Sequence, residues 1–326
     1  MSLSVFHVFF KVCRSPPGQF LHDSFWKLHL LIFKEVMMKP ENEALVSKQK
    51  EILSFRDLAE GTVSTYISYL IQFIEWVESV LCGKAVQDVS WADLRSYVDF
   101  LHTVRKIGNR TINVHIAQLH HLFHYVLKRE WDKYEVPFLR YDTALPNVPT
   151  MEEINAIIDS IANIKHKAEI ALLYSSGIRV SELCRLRCGD IYVSKKCIFI
   201  AKAKNRSERY AILSEKALLI LSDYIRQAYP GATQEDWLFP GQTSGSYIDD
   251  QSVRNVFNKA VRCVGLADRG FVLHSCRHAF GLHLYEAGTD LMTIKEALGH
   301  KSLSSTEVYL SLGIGNGRSV KSPYDF

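Results

Sequence analysis

The chain has 326 residues, 47% of them apolar and 23% charged, which excludes a disordered or low-complexity protein and leaves room for more than one core. Its net charge is only +4, so a nucleic-acid surface would have to come from local clustering of basic residues. The seven cysteines lack paired CxxC spacing, which argues against a disulfide framework or a four-cysteine zinc knuckle and suits a reducing cytoplasm.

Residues 1–45 stand apart as an extension. "KVCRSPPGQF" breaks any helix, and the rest is apolar without clear period. It reads either as a docked extension or as sequence upstream of a start at Met37 or Met38. "MSLSVFHVFF" lacks the basic region and cleavage site of a signal peptide, and no run approaches the ~18 apolar residues of a membrane span.

Residues 46–140 carry helical periodicity and form a first, all-helical domain. Val63, Ile67, Leu70, Ile74 and Val77 make one apolar stripe, and Ile112, Ile116, Leu119, Phe123 and Val126 another. Ser90 with Asp93 is a capping box that opens a helix between them. The other faces of the last helix hold Arg110, His115, His120, His121, His124, Lys128 and Arg129. They read as a solvated face or as a helix lying beside phosphate.

"RYDTALPNVPT" is a linker, taken as residues 141–149. Thr150 with Glu153 then opens a second domain, 150–326. "EINAIIDSIANI" and "KAEIALLYSSGI" read as helices. "KCIFIAKA" and "ERYAILS" read as a β-hairpin with Lys202, Lys204, Arg206 and Arg209 at and beside its tip, Lys202 and Lys204 on one strand face. The fold class is therefore mainly α with a small β-hairpin.

The chemistry-bearing residues gather towards the C-terminus. Arg179 follows a glycine at a helix start, with Glu182 one turn on. His274 and Arg277 share a helix face; Gly288 ends that helix and Asp290 caps the next, which Gly299 ends just before His300. Ser304 with Glu307 forms a third capping box, placing Tyr309 in the second turn of a new helix. Arginines and histidines of this kind donate hydrogen bonds to phosphodiester oxygens and favour the more highly charged pentavalent transition state. A tyrosine beside them can attack phosphorus, and a hairpin lysine can protonate the leaving oxygen.

Through "SSGIRVSEL", "AKNRSERYAIL", "HSCRHAFGLHL" and "ALGHKSLSSTEVYLSL", the chain resembles the tyrosine recombinase (phage integrase) family, near its Xer-like branch, over residues 55–312. The resemblance implies a helical, SAM-like core-binding domain and a catalytic domain closing on DNA as a C-shaped clamp. It implies Tyr309 as nucleophile, Arg179 and Arg277 as phosphate clamp, His300 as a further donor, His274 as general base and Glu182 as support for Arg179. The general acid is Lys204 by a gapless match, or Lys202 with one inserted residue. Arg110, His121, His124, Lys128, Arg206 and Arg209 are the expected DNA contacts.

The implied activity is site-specific cleavage and rejoining of duplex DNA through a 3′-phosphotyrosine, with neither ATP nor metal. The implied partners are DNA with paired inverted sites and further copies of the chain, as a tetramer on synapsed sites; a second recombinase is left open. A type IB topoisomerase shares the chemistry and is the alternative. A metal hydrolase using His274 and His278 lacks the HExxH glutamate, and a DNA-binding protein with a degenerate site would not keep all six catalytic residue types. Beyond Tyr309, "LSLGIGNGRSVKSPYDF" is glycine-rich and expected to make a poor helix, unlike the docking helix of Xer-type members.

Overall fold

The computed structural model describes residues 39–81, 84–142, 145–201, 208–300 and 302–315. The chain divides into two units, with the break between residues 143 and 144. Among the described residues no helix is long and apolar enough to cross a membrane.

The first unit is a helical bundle of α1 (Pro40–Phe55), α2 (Glu60–Val80), α3 (Trp91–Thr103) and α4 (Asn109–His121). Its core is built by the two apolar stripes: Leu70, Ile74 and Val77 from α2 meet Ile112, Ile116 and Leu119 from α4. The capping box of α3 is present, with Ser90 Oγ accepting from Asp93 N–H at 3.2 Å and Asp93 Oδ2 accepting from Ser90 N–H at 2.8 Å.

The expected continuous helix to Val126 differs. α4 ends at His121 and passes into a π-helical turn, Leu122–Val126. His121, Leu122 and Phe123 are buried in succession, a wider arc than one α-helical face offers.

That burial corrects the reading of the basic face. His121 does not face outward: its Nδ1 lies 3.2 Å from Gln49 Oε1 of α1. His115 is also buried, stacked on Tyr69 at 3.8 Å between ring centroids and bonded to the Tyr97 hydroxyl at 3.2 Å. Arg129 donates to the Val89 carbonyl at 2.5 Å and lies over the Trp91 ring. Arg110, His120, His124 and Lys128 remain exposed. A 3.6-residue period separates apolar from polar positions but does not reveal which polar side chains find an internal partner.

The second unit opens with α5 (Met151–Asp159), whose Thr150–Glu153 capping box is formed, and α6 (Ile164–Ser176). Gly177, at φ +62°, ends α6 and turns the chain into the short α7 (Val180–Leu183). The sheet is antiparallel, β1 (Ile191–Tyr192), β2 (Cys197–Ile200) and β3 (Arg209–Ile212), in the order β1-β2-β3. β2 and β3 are the expected hairpin, in register Ile200↔Arg209, and β1 is a short strand added to it. Ile198, Ile200 and Ala211 point into the core, while Tyr210 and Ile212 face solvent. The tip carrying Lys202, Lys204 and Arg206 lies outside the described residues.

Then follow α8 (Glu215–Ala228), α9 (Asp250–Cys263), α10 (Ser275–Glu286), α11 (Leu291–Leu298) and α12 (Ser304–Gly315). Gly288 and Gly299, both at positive φ, end α10 and α11, and Asp290 Oδ1 caps α11 through Met292 and Thr293 N–H. The Ser304 side chain of the expected third capping box is outside those described. α12 runs six residues past Tyr309 to Gly315, contrary to the expectation of a poor helix directly after it. Leu310 and Leu312 pack on the cluster formed by α10 and α11, and that packing outweighs glycine's low propensity.

Gln118 gives a test of the first unit. It is fully buried, and neither amide atom has a hydrogen-bonding partner among the described residues. Gln118→Leu removes that desolvation cost at similar volume. It should raise stability to urea by about 1–2 kcal/mol, and a loss of stability would show that the amide is satisfied in solution.

Candidate active site

Arg277 is the centre of the site. It lies on the first turn of α10 and is only 3% exposed. Its Nη2 donates to the Leu298 carbonyl at 2.6 Å and its Nη1 to the Gly177 carbonyl. These carbonyls close α11 and α6, so the guanidinium bridges two helix C-termini, where the helix dipole is negative. Burial, and then the nearby Arg179 charge, lower its pKa to about 9, with Glu182 opposing. It therefore stays charged at neutral pH.

Arg179 is the residue that caps α7. Its backbone N–H donates to Glu182 Oε2 at 2.8 Å and its Nη1 to Oε1 at 3.1 Å. Its Nη2 reaches the Gly299 carbonyl at 3.5 Å. Glu182 thus supports Arg179, but not Arg179 alone. Arg209 of β3 grips the same carboxylate with both terminal nitrogens, at 3.1 and 2.8 Å. Burial alone would raise the Glu182 pKa. The hydrogen bonds from Arg209 and the Arg179 backbone, and both guanidinium charges, bring it down to about 2 instead.

This corrects the expectation for Arg209. It is not a free DNA contact of the hairpin: its side chain is 11% exposed, bidentate on Glu182, and pressed against Gly299, where an added Cβ would lie 2.8 Å from Arg209 Cδ.

His300 follows Gly299 and is held by a partner that sequence reading missed. Its Nδ1 lies 2.9 Å from Thr306 Oγ1, and Thr306 is fully buried. The visible signal was a hydroxyl three residues before Tyr309. Burial, then the charges of Arg277 and Arg179, lower the His300 pKa to about 4.

His274 precedes α10 and keeps an exposed edge. Its ring meets His278 edge-on at 4.8 Å. Partial burial, then His278, Arg277, Arg179 and Arg254, lower its pKa to about 4. A cavity of about 230 Å³ opens here, with His274 and Arg277 in its wall. Among the described residues no three His, Cys, Asp or Glu side chains are grouped as metal ligands.

Tyr309 belongs to the same cluster but is fully buried. Its ring packs on the bare backbone of Gly281 in α10, where an added Cβ would lie 2.5 Å from Tyr309 Cζ and 2.8 Å from its hydroxyl. His278 faces it at 6.3 Å between ring centroids. Burial pushes its pKa up to about 12, with Arg277 opposing. The fold thus brings Arg179, Glu182, His274, Arg277, His300 and Tyr309 to one end of α6, α10 and α11. It adds His278, Thr306 and Gly281, and places Arg110, His124 and Lys128 in the other unit. Lys202, Lys204 and Arg206 lie outside the described residues.

Residues 148–313 match the phage integrase family, and residues 45–133 match the phage integrase N-terminal SAM-like domain. The chain belongs to the phage integrase family. Enzymes of this family cut and rejoin DNA strands, and that is the activity class of this integrase.

The integrase is 31% identical over 293 residues to a Sinorhizobium fredii protein bearing an integrase/recombinase name (y4qK), covering 90% of this chain and 91% of that one. It is 29% identical over 272 residues to tyrosine recombinase XerC of Anoxybacillus flavithermus, covering 78% and 88%. Its fold is similar to that of XerH site-specific recombinase bound to difH substrate, with TM-score 0.64 at 20% identity over 93% of this chain and 90% of that chain. It is also similar to a lambda integrase dimer bound to a COC′ core site, with TM-score 0.65 at 14% identity over 98% and 87%.

Two outcomes follow from this geometry. Glu182 has a folded-state pKa below its ordinary value, so the stability it contributes is complete above about pH 4.5 and is lost as pH falls towards 2. Glu182→Gln should cost a few kcal/mol in urea unfolding at neutral pH and flatten the dependence in that acid window; an unchanged acid limb would place the titration elsewhere. Gly281→Ala should displace the Tyr309 ring and destabilise the protein by about 1–3 kcal/mol. Nitration of Tyr309, followed by mass spectrometry, should rise with it, and protection equal to that of the unaltered protein would contradict the contact.

Proposed function

We propose that this integrase is a site-specific recombinase in which Tyr309 attacks a DNA phosphodiester, forming a 3′-phosphotyrosine and breaking the bond to the 5′-oxygen. Arg179 and Arg277 bind the non-bridging oxygens of that phosphate. The observation that carries this reading is the buried, charged Arg277 fixed between two helix ends, with Arg179, His300, His274 and Tyr309 gathered around it.

The proton bookkeeping is consistent with the electrostatics. His274, with its pKa near 4, is neutral at pH 7 and able to take the tyrosine proton. His300 is neutral as well. If its Nδ1 accepts the Thr306 hydroxyl proton, Nε2 carries hydrogen and donates to the phosphate. The hairpin lysine gives the leaving 5′-oxygen its proton; the motif match favours Lys204 over Lys202. Rejoining is the reverse, with a 5′-hydroxyl attacking the phosphotyrosine, so neither ATP nor metal is required.

The DNA partner is double-stranded and carries paired inverted sites. XerH is bound to difH substrate and lambda integrase to a COC′ core site, which supports a DNA partner here. Exposed Arg110, His124 and Lys128 supply phosphate contacts in the first unit, with Arg206 from the hairpin. Copies of the chain assemble as a tetramer on two synapsed sites in the cytoplasm. The match to the SAM-like domain favours recombinase over topoisomerase.

The decisive experiment is covalent trapping on a nicked duplex selected for binding from a randomised pool. Tyr309→Phe should abolish the denaturant-resistant adduct and leave DNA binding within about twofold, since only a hydroxyl is removed; an adduct of normal yield would move the nucleophile. EDTA should leave the adduct yield unchanged, whereas restoration by zinc after chelation would favour the His274–His278 metal site. Lys204→Ala should slow cleavage by roughly 10²–10⁴-fold. A 5′-bridging phosphorothiolate, whose sulfur leaves without a proton, should restore that rate, and rescue of Lys202→Ala instead would reassign the acid.

A further inference from the structure

The cavity beside His274 and Arg277 has a second cationic wall that lies in none of the four motifs. Arg254, in the second turn of α9, lines it together with Ile178, Val180, Leu273, His274 and Arg277. α9 is oriented by a cap at its start, where Asp249 Oδ1 accepts from Ser252 N–H at 2.8 Å. One turn of helix then carries Arg254 from that cap to the cavity.

Arg254 is held there loosely. Its Nη2 lies 3.3 Å from Asp250 Oδ2, four residues earlier on the same helix, and the two side chains are 41% and 54% exposed. An ion pair so open to water adds little stability. A DNA phosphate can take a guanidinium with two parallel hydrogen bonds, one to each of two oxygens, where Asp250 takes it with a single contact at 3.3 Å. Arg179, by contrast, is committed through one terminal nitrogen to Glu182, and Arg277 to two carbonyls.

We propose that Arg254 is a third phosphate-binding arginine of the site, which exchanges Asp250 for the DNA phosphate beside the scissile one when duplex DNA enters. This rests on the reading of Tyr309, Arg179 and Arg277 given above.

A second consequence concerns His274. Burial disfavours its protonation most, and the groups facing it add to that in the order His278 and Arg277 from α10, Arg179 from the start of α7 and, last, Arg254 from α9. Arg254 thereby helps to keep the base neutral while it grips the backbone. The two effects separate experimentally, because charge alone sets the first and a forked donor serves the second.

The test is single-turnover adduct formation on the selected nicked duplex, measured across pH and salt for Arg254→Gln, Arg254→Lys, Asp250→Asn and Arg262→Gln. Arg262 lies on the last turn of the same helix, is exposed, and serves as the control for general charge. Arg254→Gln should slow adduct formation by roughly tenfold. It should also reduce the slope of log affinity against log salt by about one. The acid limb of its pH–rate profile should move upward, since His274 loses a positive neighbour. Arg254→Lys should keep the acid limb in place while still slowing the reaction. Asp250→Asn should tighten DNA binding, and Arg262→Gln should leave rate and acid limb unchanged. The proposal is overturned if Arg254→Gln matches the unaltered protein in rate, salt slope and acid limb while the Tyr309 adduct forms normally. An adduct that survives Tyr309→Phe overturns the catalytic reading instead, and this proposal with it.

Discussion

A guanidinium taken out of water loses several kcal/mol of solvation unless it is fully hydrogen-bonded, and the second unit is arranged around that constraint at Arg277. The two acceptors are carbonyls that helices leave unsatisfied at their ends, those of Gly177 and Leu298. Each is aimed by a glycine in the left-handed region, Gly177 at φ +62° and Gly299 at φ +63°. Both glycines also admit a close neighbour. A Cβ on Gly177 would lie 2.3 Å from the Phe280 ring, three residues past Arg277 on the same helix, and one on Gly299 would meet Arg209. The arginine, the helix ends and the glycines therefore form one unit of structure, although they lie about a hundred residues apart in sequence.

Charge in the site is deliberately unbalanced. Arg179 and Arg209 share a single carboxylate, that of Glu182, and Arg277 lies within its electrostatic reach. The surplus of positive charge has two effects. It holds Glu182 ionised despite burial, and it adds to the burial that already keeps the imidazoles of His274 and His300 neutral. Under the proposed function, a phosphodiester would bring its negative charge to that site, where charge rises further during attack. The buried carboxylate is thus a counter-ion shared by Arg179 and Arg209.

Local order was legible in the sequence where one residue type has one job. The Ser90–Asp93 and Thr150–Glu153 boxes, the Asp290 cap and the glycine stops of α10 and α11 are formed as read. The apolar stripes of α2 and α4 meet in one core. Side chains with more than one use were not legible. His121 reads as solvent-facing from its neighbours, yet Gln49, some seventy residues earlier, draws it inward. Arg209 sits beside a basic hairpin tip, yet Glu182 claims it. Helix α12 persists to Gly315 because of what α10 and α11 offer it to pack on, which no propensity scale records. Thr306 and Gly281 act through contacts that exist only once α12 lies on α10.

Those last contacts bear on when the enzyme can react. A phenol that burial pushes up to about 12 is a weak nucleophile, and a fully buried hydroxyl cannot touch a phosphate on a duplex. Tyr309 has its place in the described structure because Gly281 leaves room for its ring against the backbone of α10. Arg277 and His278 come from that same helix, so Tyr309 rests next to the groups it would use without being exposed to substrate. Under the proposed function, that hydroxyl has to leave its place on α10 before it can meet a phosphate. The hydrophobic packing that extends α12 past Tyr309 therefore also holds the ring of that tyrosine against α10.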